Sequence, residues 1–174
     1  MIWNATLLLL VTAVGMLTAS GCSQSPSWIR SLNASSSFSV YEGLPHQLRE
    51  ADLLEREKRR PDITMIGGFP FYTPSVAVDT SQAMQFKKIL GDDGRYVTYR
   101  GAPTDCGPFH PDFAVQWTDG AMGQQILICF SCSEARVVSN NEQEDYYFKG
   151  VSDLKSLLWE YSSKRPNAER VPGA

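Results

Sequence analysis

Three cysteines and a histidine stand in the order C-x3-H-x18-C-x2-C: Cys106, His110, Cys129 and Cys132. Thiolates and an imidazole in that number form the Cys3His set that tetrahedral zinc accepts. The same residues support simpler chemistry. Cys106 with Cys129 or Cys132 would close a structural disulfide, and a cysteine beside His110 would have a base to activate it. Covalent haem attachment requires C-x-x-C-H, and Ser133 occupies the histidine's place. A thioredoxin-like pair requires its first cysteine at a helix N-terminus, whereas Cys129 ends the apolar run "ILIC". Residues three apart on a regular strand face opposite ways, so Cys129 and Cys132 converge only if the chain bends at Phe130-Ser131. Structural cysteines are therefore the first expectation, a zinc site the alternative, and a thiol-dependent enzyme the third reading.

The chain has two histidines, His46 and His110. Glu50 follows His46 by one helical turn, the spacing of an acid–base pair. Neither histidine is accompanied by a substrate motif. There is no G-x-S-x-G, no phosphate-binding glycine loop and no H-E-x-x-H. A histidine in a first helical turn, or one before proline as in His110-Pro111, is ordinarily structural. The reading leans away from an enzyme, assigns no catalytic residue, and implies no cofactor other than zinc.

These residues must be positioned by a small sheet. In "DFAVQW" Phe113, Val115 and Trp117 share one face, "TDGAMG" is a turn, and "QQILICF" returns. The result is a central hairpin over about 112–130 with a loop of roughly six residues. A turn centred between Gly120 and Ala121 sets Cys129 opposite Asp112 and Cys132 opposite Phe109. Further strands are predicted in "RYVTYRG", "ARVV" and "DYYF", and an irregular edge or loop in "ITMIGGFPFYTPSVAVD". Three helices are predicted. One runs from about Pro45 to Arg60 and stops at Pro61. A second begins at Asp79 or Thr80, with Gln82 in capping-box position, and stops at Gly91. The third is capped by Ser152 and carries Leu154, Leu157, Leu158 and Tyr161 on one face. The fold class is α+β: a small, mainly antiparallel sheet with about three helices.

The amino terminus reads as an address. "LLLLVTAVGML" has the length of a signal-peptide apolar core and is followed by small residues. Ala19-Ser20-Gly21-Cys22 resembles the lipobox of bacterial lipoproteins, in which the chain is cut before the cysteine and that cysteine is acylated. The division expected is a signal peptide over 1–21 and a Ser-rich tether over 22–37 behind lipidated Cys22. A single globular domain over 38–165 and a disordered tail over 166–174 would follow. The location implied is the bacterial cell envelope, anchored by lipid and facing the periplasm or exterior, where thiols tend to oxidise. A formal net charge of −3 offers neither the basic face of a nucleic-acid binder nor polybasic attraction to anionic lipid. The expected partners are the membrane, through the lipid, and a protein or small molecule of unstated kind.

Three segments taken in order, "VYEGLPHQ", "CGPFHPDFAVQW" and "CFSCSE", resemble a group of small exported bacterial proteins. That group shows Y-E-G-L-P-H-Q, then C-G-x-F-H-P-D, then C-F-x-C-x-E. The resemblance covers most of residues 38–165. It implies that Cys106, His110, Cys129, Cys132 and Glu134 belong to one structural unit, and it implies no activity.

Overall fold

The computed structural model describes residues 25–99, 107–119, 122–139 and 142–166. The expectations for the signal peptide, for Cys22 and Cys106, and for all of the tail beyond Pro166 lie outside the described residues. In chain order the elements are α1 (Ser27–Ala34), β1 (Phe38–Glu42), α2 (Ala51–Glu57), β2 (Ile63–Ile66) and β3 (Phe69–Tyr72). They continue with β4 (Val76–Ala77), α3 (Thr80–Leu90), β5 (Tyr96–Thr98), β6 (Phe113–Asp119) and β7 (Met122–Cys129), then β8 (Glu134–Ser139), β9 (Glu142–Phe148) and α4 (Val151–Trp159). Seven strands form one antiparallel sheet in the order β4-β1-β6-β7-β8-β9-β5, and β2 with β3 makes a separate hairpin. The class is α+β, with a larger sheet and more helices than the sequence indicated.

The two faces of the sheet follow from the period-2 alternation of its strands. Phe113, Val115, Trp117, Ile126, Ile128, Val137 and Phe148 face α1, α3 and α4 and form the main core. Ala114 and Leu127 face the other way and are covered by Ile66 and Phe71 of the small hairpin. Each large side chain buried in this way stabilises the fold by about 1.5–3 kcal/mol. The β6–β7 register is the expected one, with Phe113 opposite Ile128 and Val115 opposite Ile126. The strands run to Asp119 and Met122, so pairing continues through most of the segment read as a six-residue loop.

Four expectations are corrected. The Ser-rich segment is not a tether throughout: residues 27–34 are helical, and Trp28, Ile29 and Leu32 are buried. Composition hid an i, i+1, i+4 apolar stripe, and buried Ser31 accepts a hydrogen bond from the Trp117 indole at 3.1 Å. The described fold therefore extends N-terminal of Phe38. The first expected helix is cut to Ala51–Glu57, because Leu44 is fully buried and its carbonyl is engaged by His110 and Arg165. Tertiary bonds hold Pro45 and His46 outside the helix. The segment read as irregular contains the β2–β3 hairpin. Gly67 and Gly68 both have positive φ, as a two-residue turn that matches strand twist requires. Finally, α4 begins after left-handed Gly150, and Ser152 lies inside its first turn rather than capping it. By contrast, the Asp79 cap is as expected, its carboxylate accepting the Gln82 N–H at 2.8 Å.

Candidate functional site

The segments "YEGLPH" and "HPD" meet at one end of the sheet, where β1 pairs with β6. Gly43 donates its N–H to the Asp112 carbonyl at 2.7 Å. A Cβ on Gly43 would lie 2.2 Å from the Pro111 carbonyl oxygen, so only glycine permits this approach. One residue earlier, Glu42 is 4% exposed. Its carboxylate accepts bonds from Ser162 Oγ at 2.8 Å, Ser163 N at 3.0 Å and Lys164 N at 2.6 Å. That latch fixes the chain after α4 and delivers Arg165, whose guanidinium donates to the carbonyls of Gly43 at 3.0 Å and Leu44 at 2.9 Å.

The two histidines, far apart in sequence, meet here with ring centroids 4.6 Å apart and planes tilted by 50°. His110 is buried and donates from Nε2 to the Leu44 carbonyl at 3.0 Å. His46 Nδ1 accepts the Leu48 N–H at 3.1 Å, so its ring proton sits on Nε2. Burial holds both imidazoles below their ordinary pKa. Arg49 adds to this at His46, and the neighbouring histidine adds to it at His110, while Asp112 pulls both upward. Glu50 does not form the acid–base pair that spacing suggested: its carboxylate accepts the backbone N–H of His46 at 2.9 Å and ties a turn.

The cysteines divide. Cys129 is a fully buried free thiol at the end of β7. Its sulfur lies 3.3 Å from Ser131 Oγ and is also met by the backbone amides of His110 and Cys132, while burial pushes its pKa up. The bend at Phe130-Ser131 that convergence would require is present as a turn over residues 130–133. It needs no glycine because Ser133 takes the left-handed conformation, φ 52°. Asp112 holds the turn by accepting the Phe130 N–H at 2.8 Å. Cys132 is disulfide-bonded. Glu134 pairs directly across from Cys129, so the described members of the expected unit do lie together.

Two described members of the Cys3His set expected from spacing are engaged elsewhere. A disulfide sulfur is not a thiolate ligand, and His110 Nε2 is committed to a carbonyl. Among the described residues no group of three or more His, Cys, Asp or Glu side chains is placed to hold a metal ion.

A second feature was not singled out from the sequence. On the sheet face away from the main helices, a pocket of about 370 Å³ is lined by Tyr99, Pro108, Phe109, Glu134, Arg136 and Asp145 among others. Arg136 forms a two-pronged pair with Asp145, Nε to Oδ1 at 2.6 Å and Nη2 to Oδ2 at 3.1 Å. The guanidinium also lies 4.5 Å from the Phe109 ring centroid. The available signal was a charge within each of two predicted strands, but only their register, Arg136 opposite Asp145, makes it a pair.

Among the described residues no helix is long and apolar enough to cross a membrane. Comparison of the chain with family models, with curated proteins and with solved structures finds no match.

Proposed function

We propose that this is an exported, lipid-anchored envelope domain that binds a ligand without transforming it, its cysteines serving the fold. The observation that carries the reading is the unequal state of Cys129 and Cys132. An oxidised Cys132 belongs in an oxidising compartment, in keeping with the lipobox at Cys22. Thiol catalysis requires an accessible thiolate, whereas Cys129 is fully buried with its pKa raised. With Cys129 free and Cys22 assigned to lipid, we assign Cys106 as the partner of Cys132. In support, its neighbour Gly107 lines the same pocket as Glu134, two residues from Cys132.

Two measurements test this. The Cys22→Ser protein is expected to lose acyl-chain labelling and membrane association; retention on the membrane after a salt wash refutes lipid anchoring. Peptide mapping without reduction is expected to show a Cys106–Cys132 bridge, with Cys129 alkylated only after unfolding. Stoichiometric zinc in natively purified protein with all three thiols reduced would instead favour the metal-binding alternative.

A further inference from the structure

From the pocket we infer a ligand class: it binds a small neutral polyhydroxyl molecule, a sugar ring of the kind carried by envelope glycans. This rests on the binding reading above. The volume, about 370 Å³, falls at the lower end of small-ligand sites, which span about 300–1,000 Å³. The floor is the β8–β9 pair, where Ala135 and Tyr146 contribute main chain because their side chains belong to the core on the opposite face. Phe109 and Pro108 add apolar lining, and Tyr99, also in the lining, lies beside Tyr147, ring centroids 5.0 Å apart.

The polar lining selects against ions. Asp145 is neutralised by Arg136, and Glu134 is itself engaged by a partner. What remains is directional hydrogen bonding. Among the described residues, the hydrogen bonds of Arg136 are made by Nε and Nη2. Among the described residues Nη1 donates to no partner, and it sits on a guanidinium whose plane is fixed by Asp145 and by Phe109. A fixed donor costs little further entropy when a ligand takes it up. Each carboxylate oxygen of Asp145 accepts a single bond from Arg136 and retains accepting capacity. Fixed donor and acceptor side by side match the vicinal hydroxyls of a sugar, each of which both donates and accepts. The aromatic and proline lining matches its C–H face. A phosphate or carboxylate would meet Glu134 and Asp145 as well as Arg136.

The experiment is amide-shift mapping on the intact chain in a non-glycosidic detergent. Methyl β-glucoside and N-acetylglucosamine would be titrated at millimolar concentration against inorganic phosphate and indole. Shifts for either sugar confined to residues 107, 109, 134–136 and 145 are expected, with at least tenfold weaker binding in Arg136→Lys. Because Arg136 also supports the local fold, Phe109→Leu, which removes the aromatic lining but keeps an apolar side chain, serves as a second variant, with a several-fold loss expected. Shifts produced by neither sugar overturn the inference. A response to phosphate or indole alone also overturns the ligand class, while leaving the binding reading standing. Loss of membrane association in Cys22→Ser is independent of either result.

Discussion

Glu42 should hold the end of the chain on the sheet by charge, and removing it should loosen the histidine pair as well. Its carboxylate is nearly inaccessible and accepts three bonds from residues 162–164. A hydrogen bond to a charged group contributes about 1.5–3 kcal/mol, a neutral one about 1 kcal/mol. Three such bonds do not add in full, because the 162–164 segment can partly rehydrate once released. Glu42→Ala is therefore expected to cost about 3 kcal/mol, most of it from two main-chain amides left without an acceptor. Glu42→Gln keeps the volume and one acceptor oxygen but loses the charge, and should cost about 1–2 kcal/mol. Ser162→Ala removes one bond, at about 1 kcal/mol. Urea unfolding followed by the fluorescence of buried Trp28 and Trp117 gives the three values, provided the m-values agree. Arg165 follows the latch directly, so in Glu42→Ala the His110 ring resonances should shift as its neighbouring carbonyls are released. If Gln and Ala cost the same, the carboxylate's charge is irrelevant. If Ala costs under about 1 kcal/mol, the latch contributes nothing beyond an ordinary contact.

Gly43→Ala would place a methyl group against the Pro111 and Asp112 carbonyls and should cost at least about 3 kcal/mol; a loss below about 1 kcal/mol in urea unfolding would show that the β1–β6 junction yields. Both histidines are held below their unfolded pKa by burial, so their neutral forms favour the folded state. That contribution is complete above the unfolded value of about 6.5 and falls as pH drops below it. The unfolding midpoint should accordingly decline from pH 7 toward pH 5, and His110→Gln should flatten the slope; an unchanged slope contradicts the assignment. Cys129 should resist iodoacetamide in the native protein and react on unfolding, because burial raises its pKa and excludes the reagent; rapid native labelling would remove the main argument against thiol catalysis. Asp79→Ala should cost about 1 kcal/mol through loss of the α3 cap, read from the same urea curves.

Local pattern sufficed wherever one segment carried its own period. The alternation of "DFAVQW" and "QQILIC" specifies β6, β7 and their register, because a slip of one residue would turn Phe113, Val115 and Trp117 out of the core. Asp79 and Gln82 likewise mark the start of α3. Composition misled where serine masked period, as in α1, whose apolar stripe is only three residues long. The first helix failed for a different reason. Its propensity extended to Pro45, but the Leu44 carbonyl is taken by His110 and Arg165, residues 66 and 121 positions away. The candidate sites depend still more on such distant pairings. That His46 meets His110, that Glu42 grips residues 162–164, and that Arg136 faces Asp145 are consequences of strand order and of the segment after α4 folding back. The sequence shows which residues have the chemistry to form these contacts. Only the tertiary structure decides which ones meet, because the free energy that joins them comes from burying the sheet between its helices and its hairpin.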